Sequence, residues 1–184
     1  MKKNIIWKGL NTLQTTEHCE LLLEKDRIMV SSIVKGLVDG REVHISYLIH
    51  MDRNWKTLSV SVLNRVEGEL KQLAYKSDGD GNWFGNGLEA DLFKGCIEID
   101  IMVSPFTNSI PVNRLKLKIG ESRRISVMYF DILKFEVLRR EQIYTRVTED
   151  QYKYENTDND FKALIRFDES GLVRSYPGLF EMIS

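Results

Sequence analysis

Two carboxylates two residues apart, Glu98 and Asp100, are the first side chains with chemistry to offer. In an extended strand they share a face with their Cβ atoms about 6.6 Å apart. Such a pair can serve as acid and base, or as acid and nucleophile, in glycoside hydrolysis. The same carboxylates are better explained by solvent or by a basic partner such as Arg114, since structural ion pairs use the same residue types. A second acidic set, Asp78, Asp80, Asn82, Asn86 and Glu89, falls at positions one, three, five, nine and twelve of a calcium-binding loop. Position six, where that loop turns sharply on a glycine, holds Trp83, and both flanks read as strand, so a hairpin turn with Trp83 opening the next strand is the better reading.

Other chemistries are excluded by spacing. His44 and His50 share a strand face but lie about 20 Å apart along it, and His18 and Cys19 point to opposite faces. The chain has no Cys-x-x-Cys or His-x-x-x-His pair for zinc and no Gly-x-Ser-x-Gly elbow for an activated serine. Gly79, Gly81 and Gly85 miss the dinucleotide fingerprint by one residue and open a strand where that motif opens a helix. No metal and no cofactor is therefore expected. The cluster Arg114, Lys116, Lys118, Arg123 and Arg124 contains Glu121 and reads as a solvated edge.

The elements that position these residues are mostly strands. Val43, Ile45, Tyr47, Ile49 and Met51 alternate with His44, Ser46, Leu48 and His50, the two-residue period of a strand. The period returns at Leu58, Val60 and Val62; at Ile97, Ile99, Ile101 and Val103; at Ile125, Val127 and Tyr129; and at Phe161, Ala163, Ile165 and Phe167. Asp52-Arg53-Asn54, Asp78-Gly79-Asp80-Gly81, Gly85-Asn86-Gly87 and Glu169-Ser170-Gly171 lie between them as turns. Short strands joined by tight turns pair antiparallel. Two Asp-x-Asn-Trp tetrads, at Asp52 and Asp80, look like similar hairpin entries.

Ser104-Pro105-Phe106-Thr107-Asn108-Ser109-Ile110-Pro111 breaks the pattern, because a central strand does not lose two ladder donors so close together. It predicts a short helix capped by Thr107 or Asn108, with Pro111 in its first turn and with Phe106 and Ile110 plugging one open side of a curled sheet. Several strands carry a mixed second face: His44, Ser46, Leu48 and His50; Cys96, Glu98, Asp100 and Met102; Gln142, Tyr144 and Arg146. Such faces either meet solvent or line a concave cavity with a few placed polar groups.

The fold class expected is mainly β, a curled antiparallel sheet with one short helix after a central strand, forming a single domain over residues 1–184. At 184 residues and 21.4 kDa, folding leaves roughly 9,000 Å² of surface and buries about 70% of that of the open chain. With 26 basic and 27 acidic side chains, neither sign is in excess, which argues against nucleic acid or an anionic membrane as partner. No apolar stretch reaches the length of a membrane span. Ile5-Ile6-Trp7 before Lys8 is too short for the apolar region of a secretion signal. The expected compartment is the cytoplasm, with Cys19 and Cys96 as free thiols.

A resemblance extends over nearly the whole chain. Gly95-Cys96-x-x-x-Asp100, Ser104-Pro105-Phe106-Thr107-Asn108 with Pro111, Arg114-Leu115, Gln142-x-Tyr144-Thr145, Tyr152-x-Tyr154, Asp168-x-x-Gly171-Leu172-Val173 and Tyr176-Pro177-Gly178-Leu179-Phe180 resemble the bacterial putative glycolipid-binding family. Trp55 and Asp78-Gly79-x-Gly81-x-Trp83 fit the same pattern. The resemblance implies a spiral β-roll similar to lipoprotein carriers and a non-enzymatic role, binding an amphiphilic, glycolipid-like small molecule in the concave face. Asp100, Phe106, Thr107, Asn108, Arg114, Gln142, Tyr144 and Tyr176 are the ligand-binding candidates. The alternatives are a hydrolase of sugar or lipid acting through Glu98 and Asp100, and an interaction module pairing through an exposed sheet edge.

Overall fold

The computed structural model describes residues 1–85 and 88–184, the side chains of 88 and 89 excepted. Eight strands come first: β1 (Lys2–Gly9), β2 (Leu13–Leu23), β3 (Arg27–Val38), β4 (Arg41–Asp52), β5 (Thr57–Val66), β6 (Glu69–Ser77), β7 (Trp83–Gly85) and β8 (Leu88–Glu89). A single 3₁₀ turn at Asp91–Phe93 leads to β9 (Glu98–Ile101) and then to the helix α1 (Phe106–Leu115). Six more strands follow: β10 (Ser122–Asp131), β11 (Glu136–Arg146), β12 (Gln151–Asn156), β13 (Lys162–Phe167), β14 (Val173–Tyr176) and β15 (Phe180–Met182).

Among the described residues these strands form one open sheet, ordered β8-β7-β6-β5-β4-β3-β2-β1-β15-β14-β13-β12-β11-β10-β9. Two meanders therefore meet at a seam, where Trp7 faces Met182 and Gly9 faces Phe180. The sheet is curled until its two halves touch. Asn64 Nδ2 on β5 donates to the Ile132 carbonyl at 2.7 Å, Arg41 on β4 reaches the Leu133 carbonyl, and the Tyr75 ring on β6 meets Phe130 edge-on at 6.2 Å. Gly36 shows how closely the backbones approach: at φ +142°, an added Cβ there falls 2.1 Å from the Gln14 carbonyl oxygen, which leaves glycine as the residue that fits.

Alternation places the core. Val43, Ile45, Tyr47, Ile49 and Met51 point inward and are buried, while His44, Leu48 and His50 are exposed and Ser46 half-buried. Each large apolar side chain buried this way contributes about 1.5–3 kcal/mol, and a one-residue slip would turn the whole set outward. The mixed face of β4 is thus the outer surface of the roll, whereas Glu98, Gln142 and Tyr144 on β9 and β11 are buried.

One pairing departs from the antiparallel expectation. β9 runs parallel to β10, with Glu98 opposite Val127 and Ile101 opposite Phe130, and α1 supplies the crossover that parallel neighbours require. The helix also begins earlier than expected. Pro105 occupies the N-cap position without a side-chain cap, and the Ser104 hydroxyl accepts the Phe106 N–H at 3.2 Å instead. Thr107 and Asn108 lie inside the helix as its second and third residues, so neither caps it. Pro111 is likewise interior, where it forgoes one helical hydrogen bond. Residues Phe106 to Val112 are all buried, so the first two turns of the helix are enclosed on every side and need no polar face.

The turns share one device. The Asp52 carboxylate accepts the N–H of Asn54 and Lys56, Asp78 that of Asp80 and Asn82, and Asp168 that of Ser170 and Leu172. At the second tetrad it is therefore Asp78, two residues before it, and not Asp80 that plays the part of Asp52. With the Asp78 carboxylate spent on amides, that segment reads as a structural turn; Asn86 and Gly87, on which the expected turn after Gly85 falls, lie outside the described residues.

Phe106 is fully buried and stacks on Trp55 with ring centroids 6.3 Å apart. Phe106→Ala is expected to cost about 3–5 kcal/mol through the cavity it leaves, read as a lowered urea midpoint with an unchanged slope.

Candidate functional site

At the sheet edge, β9 alternates Ile99 and Ile101 into the core with Glu98 and Asp100 on the other side. Asp100 Oδ2 accepts from Gln142 Nε2 at 2.6 Å. Its Oδ1 lies 3.2 Å from Thr107 Oγ1, which also sits 3.0 Å from the Ser104 carbonyl and accepts the Ile101 N–H. Behind these, Asn108 Nδ2 donates to the Tyr144 hydroxyl at 2.9 Å, and that hydroxyl lies 3.5 Å from Gln142 Oε1. The bonds run one way, from Asn108 through Tyr144 and Gln142 to Asp100, so the dipoles reinforce one another.

Among the described residues, Asp100 receives donors but no cation. Burial raises its carboxyl above the usual range, against the lowering effect of the Gln142 and Thr107 hydrogen bonds. It opens onto a cleft of about 150 Å³ with Asn108, Tyr129, Tyr154, Phe161, Tyr176 and Phe180 around it. The rings form an edge-to-face chain: Tyr144 on Tyr154 at 5.4 Å, Tyr154 on Tyr176 at 6.1 Å, and Tyr176 on Phe180 at 6.2 Å. An apolar cavity of comparable volume holds one aromatic ring. A carboxylate acceptor beside aromatic faces suits a hydroxylated ring, which offers donors at its rim and apolar C–H groups on its faces.

The other carboxylate of β9 has a different fate. Glu98 is buried and ion-paired with Arg114 from the last turn of α1. Burial raises the Glu98 carboxyl, with Arg114 opposing that rise. Asp100 lines the cleft and Glu98 does not. Of the readings that the sequence offers for this pair, Glu98 takes the basic partner, Arg114. Among the described residues no three of His, Cys, Asp or Glu converge as metal ligands would, and both cysteines are buried free thiols.

Residues 4–182 match the family described as "Putative glycolipid-binding". The chain belongs to that family. A crystal structure of a DUF1089 family protein from Pseudomonas aeruginosa is similar to this family member at 33% identity and a TM-score of 0.79, covering 90% of this chain and 91% of the other. No curated protein matches the chain.

Of the candidates in this glycolipid-binding family member, Asp100, Asn108 and Tyr176 line the cleft, and Thr107, Gln142 and Tyr144 bond to them or support them from behind. Phe106 and Arg114 are elsewhere, in the core and on Glu98. Tyr129, Tyr154, Phe161 and Phe180 were not anticipated as a wall, although the Tyr152-x-Tyr154 repeat on β12 and the ring at Phe161 were there to see.

Sequence reading also missed Glu17. It sits among the inward residues of β2, with Leu13, Thr15, Cys19 and Leu21, and is 2% exposed. Its Oε1 accepts from Tyr47 Oη (2.6 Å), Ser32 Oγ (2.7 Å) and Ser104 Oγ (2.9 Å), and among the described residues Oε2 has no partner. Burial pushes the carboxyl up to about 7, against the three hydroxyl donors. Because Ser104 also borders the cleft, this cluster ties β2, β3 and β4 to the cleft wall.

A carboxyl held near 7 when folded, against an ordinary 4.5, binds its proton more tightly in the folded chain. Its stabilising effect is full below about pH 4.5, fades as pH rises and is gone above about 7, a total on the order of 3 kcal/mol. Glu17→Gln is expected to flatten this decline, seen as a smaller difference in urea midpoint between pH 5 and pH 8 than the parent chain shows.

Proposed function

We propose that the chain is a non-enzymatic binder of a glycolipid-like amphiphile, whose hydroxylated, uncharged head group enters the Asp100 cleft. The observation that carries this reading is a carboxylate supplied with hydrogen bonds through Gln142 and Thr107, without a counter-cation, in an aromatic-walled cleft sized for one ring. A carboxylate there accepts from sugar hydroxyls and repels a phosphate or sulfate, which selects a neutral head. Half-buried Met102 and Leu179 and the 40%-exposed Phe161 flank the opening, an apolar rim against which the first part of an aglycone lies. Membership of the family supports the same ligand class. With Glu98 held by Arg114, Asp100 has, among the described residues, no second carboxylate in the cleft for the acid and base roles of hydrolysis.

Octyl glucoside titrated below its micelle concentration, followed by tyrosine fluorescence and calorimetry, tests the proposal. Asp100→Asn removes a charged acceptor worth about 1.5–3 kcal/mol, so affinity is expected to fall by one to two orders of magnitude with the fold retained. Binding by the variant equal to that of the parent chain, or no saturable binding by the parent, refutes the reading. Asn108→Ala is expected to weaken binding and also to lower the melting temperature, since it takes a buried donor from Tyr144.

A further inference from the structure

The outer face of the first meander carries a feature that the Asp100 cleft does not use. Three large apolar side chains, Ile33 on β3, Leu48 on β4 and Leu63 on β5, are 44%, 48% and 41% exposed there. They alternate with serines in a checkerboard: Ile33 faces Ser46, which faces Leu63, and Ser31 faces Leu48, which faces Ser61. The small residues leave depressions between the large ones, and a groove of about 510 Å³ results, reaching Ile6 and His18 on β1 and β2. That volume lies within the range of small-molecule sites. Five strands spaced about 4.8 Å apart give it a length near 19 Å.

Beside this apolar row runs one that holds three cations, Lys8, Lys35 and Arg65. The pairing places Lys8 opposite Thr16, Thr16 opposite Lys35, Lys35 opposite His44 and His44 opposite Arg65, all on the outer face two residues from the apolar row on each strand. Among the described residues none of Lys8, Lys35 and Arg65 has an ion-pair partner. The acidic residue of the groove, Glu20, lies on the opposite side of the apolar row and is paired with Lys2 at 2.6 Å.

We infer that this groove is a second ligand site, which takes a single-chain anionic amphiphile of the fatty-acid class. The chain lies across the strands over Ile33, Leu48 and Leu63, and its carboxylate turns to Lys35, His44 and Arg65. Charge complementarity selects this occupant. A second copy related by a two-fold axis along the strands would bring one basic row against the other, and a neutral glycoside would leave the cations unused. A membrane surface gains nothing from a recessed groove on a chain of net charge -1.

Calorimetric titration with laurate, below its micelle concentration, provides the test. One saturable site is expected, with affinity rising about fourfold per methylene from decanoate to laurate. Lys35→Glu with Arg65→Glu is expected to weaken laurate at least tenfold, and Ile33→Asp to do the same, with melting temperatures close to the parent because all three positions are exposed. Should Ile33→Asp prove unstable, the chain-length series and the charge-reversed variant decide. Asp100→Asn leaves laurate binding unchanged, which separates this site from the cleft. Absence of a saturable laurate site, insensitivity to the charge reversal, binding only to phosphatidylglycerol vesicles, or a dimer that Ile33→Asp dissociates each overturns the inference.

Discussion

A single curled sheet has one concave face to bury and no second sheet to bury it against. That constraint governs this chain. The inner face is covered partly by its own curl, which brings β4 to β6 against the end of β10 and the turn that follows it, and partly by α1, whose first seven residues are buried. The helix is filler before it is anything else, which accounts for a sequence with hydroxyls, an amide and an interior proline where an amphipathic helix would have a solvent face. Polar groups brought inside by such a helix must find partners. Thr107, Asn108 and Ser109 do so on Asp100, Tyr144 and the Val173 N–H respectively.

The two polar clusters are results of that insertion. Ser104 stands at the junction: its hydroxyl accepts the first helical N–H, donates to Glu17 and borders the aromatic cleft. Strands from the first meander and the helix from the second half are thereby joined through one buried carboxylate. Asp100 lies a few residues away on the same segment, with the donors of Gln142 and Thr107 as its neighbours. Two carboxylates therefore meet one connector, one closed off in the core and the other at the floor of an opening.

Strands with one face in the core were the most legible part of the sequence. The odd positions from Val43 to Met51 declare β4 because each inward side chain meets the same apolar interior. β6, exposed along most of its length, writes no such pattern. The parallel pairing of β9 with β10 was illegible because it depends on where the helix carries the chain, not on either strand. The capping error has a similar origin: Thr107 and Asn108 have side chains suited to a cap, but Asp100 and Tyr144 claim them, and Ser104 does the work from outside. Asp100 and its partners were legible as types and not as a cluster, since Gln142 lies 42 residues away. Glu17 was hidden because a lone acid in a strand reads as an outward residue, and only the hydroxyls of Ser32, Tyr47 and Ser104 make its burial tolerable.

The strand order also has a kinetic side. From β1 to β8 each strand pairs with its neighbour in sequence, and from β10 to β15 the same holds, so most of the sheet assembles from hairpins with short loops, the kind of contact that forms quickly. The seam between β1 and β15 is different. Trp7 and Met182 must meet across nearly the whole chain, and the entropy of closing so long a loop is recovered only when both meanders are already in place. The Trp7 indole, fully buried and bonded to the Val173 carbonyl at 2.6 Å, is thus a late-forming clasp. Loosening it is expected to speed unfolding and to leave the rate of folding nearly untouched.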